Sequence, residues 1–210
     1  MKQILLATHN QGKINRYKKF LSHNTYQFVV LSDLGNIETG VFQEPIENGK
    51  DELENSLIKA QAYYEATKIP SFAEDTGFYI NGLQNSEQPA KSVKSKAGLT
   101  LDLEQSLSKE AQFKIMTDYY IHIANSFGGQ VHAYFVDAYC YFEAGHIRQA
   151  QAKRVLTLTN TIHEIDYNFP LCSLYLVNNI PYHQLTDQEM EQFLEPSTEV
   201  AKKLLEQQSD

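Results

Sequence analysis

"KQILLATHNQGKINRYKKFL", residues 2 to 21, decides the fold class. "KQILLAT" reads as a buried strand and "HNQGK" as a turn. Ile14, Tyr17 and Leu21 then recur at three- and four-residue spacing with Lys and Arg between them, which predicts an amphipathic helix over 12–22. The pattern repeats downstream. "QFVVL" reads as a second strand and residues 33–49 as a loop. Leu53, Leu57, Ala60 and Tyr64 mark one face of a longer helix, and "IPSFA" is the next strand. Strands alternating with helices predict an α/β fold.

Past residue 83 the signals change. "QNSEQPAKSVKSKAG", residues 84–98, is polar and reads as a mobile loop. Phe113, Met116, Tyr120 and Ile123 predict a helix over 108–125. "QVHAYFVDAYCYFEAGHIRQAQAKRVLTL" reads as two long strands joined at Ala144-Gly145, a hairpin. "CSLYLV" is a shorter strand. The final twenty or so residues read as helix, with Pro196 suited to a first turn.

At 210 residues and 42% hydrophobic content, the chain is long and apolar enough to build a substantial core. Its net charge of -8 argues against a surface that coats nucleic acid. A nucleotide remains possible, because a few local cations and one metal can meet its charge. Cys140 and Cys172 form neither a C-x-x-C pair nor a disulfide framework, which suggests a reducing compartment. The opening apolar run is too short for a signal-peptide core, and no later stretch could span a bilayer. The expectation is a cytoplasmic protein with neither a nucleic-acid nor a membrane partner.

Three stretches carry candidate chemistry. In "ATHNQGK", a turn between strand and helix points backbone N–H groups at a ligand, and the helix dipole favours an anion there. Thr8 and Asn10 add side-chain donors and Lys13 adds charge, so the turn can cradle phosphate, although the Walker A pattern is absent. The same residues also suit a capped turn with a solvated lysine. "EPIENGKDELENSLIK" places Glu44, Glu47, Glu52 and Glu54 around a helix start, where the dipole alone attracts acids. "AEDTGFYINGL" puts Glu74 and Asp75 where a strand is expected to end, followed by the turn-forming Thr76 and Gly77. Taken together, a cradle at 8–13, acids at 47 and 75 and a lysine at 59 could meet in one crevice. They would supply the one or two carboxylates that Mg²⁺ requires.

Other candidates carry less. His163-Glu164 does not continue to H-E-x-x-H. Asp137, in an apolar strand, reads as a satisfied or edge-facing acid rather than a catalyst. Cys172 could be a nucleophile, but it has no assigned histidine partner and reads as a structural thiol.

"LATHNQGK", "EPIENGKDELENSLIKA" and "FAEDTGFYINGL" resemble, in order and spacing, three motifs of the inosine triphosphate pyrophosphatase family. The resemblance is specific over residues 1–83 and continues as pattern through the hairpin at 130–157. It implies two lobes on a long mixed β-sheet flanked by helices, with the active-site cleft between the lobes, in a homodimer. One lobe would be roughly 1–83 with the C-terminal helix, and the other roughly 99–180. The implied activity is Mg²⁺-dependent hydrolysis of nucleoside triphosphates, including deaminated purines such as ITP and XTP, to monophosphate and pyrophosphate.

Residue by residue, the resemblance makes Thr8, Asn10 and Lys13 triphosphate ligands and Lys59 a phosphate-facing lysine. Glu47 and Asp75 become metal ligands, Asp75 also helps activate water, and Thr76 contacts substrate. The second half departs from the family pattern. The F-G-Y-D-P loop aligns with "FPLCS", residues 169–173, which puts Cys172 at the base-contacting acid. No lysine stands near Pro181 and Tyr182, and "EPSTEVAKK" replaces the S-H-R motif. The implied outcome is altered base selectivity. The alternative is a nucleotide-binding or regulatory protein with little hydrolysis.

Overall fold

The structure, a computed structural model, describes residues 2–21, 26–34 and 42–206. Its first strand, β1 (Lys2–Leu6), is apolar from Ile4 onward because both faces are covered. Ile4 and Leu6 pack with Ile14 and Tyr17 of α1 (Gln11–Phe20), and with Ala201 and Leu204 near the C-terminus. Leu5 and Ala7, of opposite parity, pack with Ala60 and Tyr63 on the other side.

β2 (Tyr26–Val29) precedes α2 (Glu52–Thr67) and β3 (Ser71–Ile80). α3 (Val93–Lys96), α4 (Leu101–Ser106) and α5 (Lys109–Ser126) follow. β4 (Gln130–Glu143) and β5 (His146–Thr159) form the long hairpin. Ala144 and Gly145, both at positive φ, make its turn. β6 (Tyr175–Val177), β7 (Ile180–Pro181) and α6 (Asp187–Glu206) complete the chain. The seven strands order as β2-β1-β3-β4-β5-β6-β7. β1 pairs parallel to β2 and β3, while β6 pairs antiparallel to β5 and β7, so the sheet is mixed. The fold is α/β with helices flanking that sheet, as the alternation of strands and helices predicts.

The chain divides into two compact units. One comprises residues 1–76, 137–152 and 196–210, and the other 77–136 and 153–195. In the second unit, Phe78 packs edge-on to Tyr120 of α5 and against Phe135 of β4. Among the described residues, no helix is long and apolar enough to cross a membrane.

Four expectations are corrected. First, β3 does not stop before its acids. It runs unbroken from Ser71 through Glu74, Asp75, Thr76 and Gly77 to Ile80, because both carboxylates find cationic partners inside the fold. Second, of the expected face Leu53, Leu57, Ala60 and Tyr64, Ala60 is buried and Leu57 and Tyr64 pack against the same core while partly covered, but α2 also buries Glu52, Asn55, Ser56, Lys59 and Tyr63. Its inner stripe is polar because the acids of β3 and of the preceding loop lie there. Third, Pro196 sits inside α6 rather than in its first turn. The helix starts earlier, where the Thr186 side chain caps the Glu189 N–H and Glu189 reaches back to the Thr186 N–H. Fourth, residues 84–98 include α3, and the Gln88 amide fastens this segment by bonding the N–H and C=O of Ile80.

Candidate functional site

Asn10 caps α1, its Oδ1 accepting the Lys13 N–H at 3.1 Å. Thr8 Oγ1 accepts the Asn10 N–H at 3.1 Å, which fixes the turn that feeds the helix. The helix N-terminus is thus pre-shaped by these two bonds. A cavity of about 270 Å³ borders the same turn, lined by Thr8, His9 and Gln11 with Lys18, Ser32 and Asp33.

Alternation along β3 sends its two acids to opposite faces. Glu74 turns to α1. Its carboxylate takes the Arg16 guanidinium and the Tyr17 hydroxyl, and lies 3.6 Å from Lys13 Nζ. Thr76 Oγ1 lies 3.1 Å from its other oxygen. Burial alone would raise the Glu74 pKa, but Lys13, Arg16 and Tyr17 hold it well below the usual carboxylate range. Glu74 is therefore a buried anion at neutral pH, and Arg16 is held correspondingly charged against its own burial.

Asp75 turns to α2. Its Oδ1 accepts from Lys59 Nζ at 3.1 Å and its Oδ2 from Asn55 Nδ2 at 3.0 Å. Glu47 Oε2, from the loop before α2, lies 3.0 Å from the same ammonium. Burial opposes the charge on Lys59, yet Asp75 and Glu47 raise its pKa. Two carboxylates from separate segments thus converge on one cation. This donor set, all oxygen with two carboxylates, fits a hard dication such as Mg²⁺, whose remaining positions water and phosphate oxygens fill.

The structure therefore forms two neighbouring polar clusters, Lys13 with Glu74 on one face of β3 and Lys59 with Asp75 and Glu47 on the other. Thr76 faces Asp137 Oδ1 at 3.1 Å, and Ser197 donates to the other Asp137 oxygen. Asp137 is the satisfied buried acid that its apolar strand suggests.

Sequence reasoning assigned no role to several of these groups. Arg16 is one of the cations between the apolar positions of α1, one turn after Lys13. Asn55 precedes Lys59 by one turn of α2, and that i, i+4 spacing was the available signal. Besides binding Asp75, Asn55 accepts the Gly49 N–H at 2.9 Å and so ties the acid-bearing loop to the site. A Cβ on Gly49 would lie 2.7 Å from Asn55 Oδ1 and 2.9 Å from the Asn55 backbone nitrogen. Gly49→Ala is expected to destabilise the protein by about 1–3 kcal/mol, the usual cost of overpacking. Thermal melting checks this, and an unchanged melting temperature would show that the loop yields freely.

In the second unit, Cys172 does have a histidine partner. His183 Nε2 lies 3.0 Å from its sulfur, and Asp166 Oδ2 lies 3.6 Å away. Burial, helped by Asp166, pushes the thiol pKa up. Tyr182, where the family pattern has a nearby lysine, packs against Tyr175.

Comparison with known proteins supports the resemblance. A Bradyrhizobium diazoefficiens dITP/XTP pyrophosphatase is 33% identical over 107 residues, which cover 51% of this chain and 47% of the relative. A Rhodopseudomonas palustris protein of the same name is 26% identical over 162 residues, covering 74% of this chain and 68% of the relative. The chain thus spans about half the length of the first relative and about two thirds of the second. The Staphylococcus aureus Ham1 protein superposes with a TM-score of 0.70 at 20% identity, over 98% of both chains. A HAM1 protein from Coxiella burnetii gives 0.75 at 16% identity, again over 98% of both. At such identities these likenesses speak to the fold. The Ham1 family model matches residues 4–156, which include every member of the two polar clusters on β3, and the chain belongs to the Ham1 family.

Proposed function

We propose that this protein is a Mg²⁺-dependent nucleoside triphosphate pyrophosphatase that releases monophosphate and pyrophosphate, with base selectivity altered from that of its dITP/XTP-hydrolysing relatives. The observation that carries this reading is the convergence of Glu47 and Asp75 on Lys59, at 3.0 and 3.1 Å. Thr8, Asn10 and the α1 N-terminus are the proposed grip on the triphosphate, with Lys13 and Lys59 supplying charge and Thr76 a further polar contact. Bound between Glu47 and Asp75, Mg²⁺ would neutralise phosphate charge and polarise the phosphoryl group. In hydrolysis the oxygen of water bonds to the α-phosphorus, the bond from that phosphorus to the α–β bridging oxygen breaks, and pyrophosphate leaves. Asp75 is the proposed acceptor of the water proton. Glu74 is excluded from that task, because Arg16, Tyr17 and Lys13 hold it ionised. Its role is to keep the cations of α1 in place.

The test is pyrophosphate release from a panel of NTPs and dNTPs with Mg²⁺. Turnover that disappears on chelation supports the reading. Tight nucleotide binding by calorimetry without turnover would instead identify a binding or regulatory protein.

Base choice is the finer prediction. Ser197, within the "EPSTEV" stretch, is buried and committed to Asp137, and Cys172 lies against Asp166 and His183. Neither is placed as a ready donor for a purine edge. A pocket that mainly stacks a base discriminates weakly, because every base has a π-face. The expected ITP-over-ATP ratio of kcat/KM is below about a hundredfold, roughly 2.7 kcal/mol. Comparing ITP, XTP, ATP, GTP and dUTP decides it, and a larger preference for ITP or XTP would show that other residues have rebuilt base recognition.

A further inference from the structure

Three turns of the second unit bring Asp166, Cys172 and His183 to one point. Cys172 lies in the short 3-10 turn Pro170–Leu174, and His183 lies in the one spanning Tyr182–Gln184. Their donor atoms and an Asp166 carboxylate oxygen all lie within 4.8 Å of one another. We propose that these three side chains bind one zinc ion, leaving its fourth position to water or an exogenous ligand. It shares no residue with the clusters formed by Lys13 and Glu74 and by Lys59, Asp75 and Glu47.

Geometry favours the assignment. Tetrahedral zinc has bonds of about 2.3 Å to sulfur and about 2.0–2.2 Å to nitrogen and oxygen, so its ligand atoms stand roughly 3.3–3.6 Å apart. Here Cys172 Sγ lies 3.6 Å from Asp166 Oδ2, which matches that spacing, and 3.0 Å from His183 Nε2, a contact that must open slightly. One soft sulfur, one imidazole and one carboxylate form a zinc donor set, unlike the all-oxygen pair of Glu47 and Asp75.

The ligands are also held from behind. Asp166 Oδ1 accepts the N–H groups of Asn168 and Phe169 at 2.8 and 3.0 Å, which aims Oδ2 at the sulfur. The Asp166 N–H donates to Ser173 Oγ at 3.2 Å, and the Cys172 N–H donates to the Phe169 carbonyl at 3.0 Å. The competing reading is a nucleophilic Cys-His-Asp triad. That would need the acid on the far side of the imidazole, orienting it as a base. Instead the aspartate contacts the sulfur, so the three groups point inward together.

The test uses the chain of residues 1–210, stripped with a chelator and then titrated with Zn²⁺ and, separately, Co²⁺. The expected result is about one equivalent of zinc, a raised melting temperature, and a thiolate-to-cobalt charge-transfer band in the near ultraviolet. Cys172→Ser should abolish the band and weaken zinc binding by at least about tenfold, and His183→Gln should weaken it comparably. Cys140→Ser should retain both the band and the affinity. The proposal is overturned if the stripped protein takes up no zinc. It is equally overturned if zinc binding is unchanged in Cys172→Ser, or in His183→Gln should the serine variant fail to fold.

Discussion

Asp75→Asn is expected to lower pyrophosphate release by on the order of a thousandfold, the upper range for removing one preorganised charge-stabilising group, while the protein still folds cooperatively. The side chain has two partners, Lys59 at 3.1 Å and Asn55 at 3.0 Å. An amide oxygen can keep one of these bonds. Its NH₂ group cannot accept the other, so one donor loses its acceptor. Lys59 nevertheless retains Glu47 at 3.0 Å, so its charge is not stranded, and the stability loss should stay near 1–3 kcal/mol. Catalysis has no such reserve. The amide offers neither the anionic oxygen that a magnesium ion prefers nor a site for the proton of water. Single-turnover kinetics beside a melting curve separates the two effects. Near-normal turnover with Mg²⁺ would remove Asp75 from the reaction centre.

How much of this was legible in the sequence depends on which interactions are local. β1, α1, α5 and the β4–β5 hairpin follow from period and turn chemistry, because each is set by neighbours within a few residues. The start of α6 was also legible, since Thr186 and Glu189 form a capping box, but Pro196 is a stronger local signal and drew the boundary inward. The unbroken run of β3 was not legible. Two adjacent acids read as an exit to water, and only the distant Arg16 and Lys59 make it possible to bury them in a strand. The same holds for the inner face of α2. A search for apolar periodicity selects Leu53, Leu57, Ala60 and Tyr64, while the helix also turns Asn55 and Lys59 inward to meet Asp75. Thr8, Asn10, Lys13, Glu47, Lys59, Asp75 and Thr76 could be nominated from motif spacing. Their division between two faces of one strand could not, because it depends on whether β3 continues past residue 73.

Glu74→Gln is expected to destabilise the fold at neutral pH by about 3–5 kcal/mol, the range seen when one member of a buried ion pair is removed. Arg16 is largely buried and is held charged chiefly by this carboxylate, while Tyr17 and Thr76 also point their hydroxyls at it. A neutral amide would leave the guanidinium inside the fold without its main compensating charge. The pH dependence distinguishes this from a simple packing defect. With its folded-state pKa held well below the usual range, Glu74 contributes stability that is fully present above the unfolded value of about 4.3. That contribution is lost as pH falls from there toward the lowered folded value, because the unfolded chain takes up the proton first. The parent protein should therefore lose stability progressively below about pH 4.3, and Glu74→Gln should show a shallower acid limb across the same range. Adding Arg16→Met should recover much of the neutral-pH loss, since replacing both charges removes the stranded cation. Urea unfolding from pH 3 to 7 on the parent, the single variant and the double variant measures all three effects. An unchanged acid limb in Glu74→Gln would mean that the carboxylate is not the ionised anchor of α1, and failure of Arg16→Met to rescue would place the cost in Tyr17 and Thr76 instead.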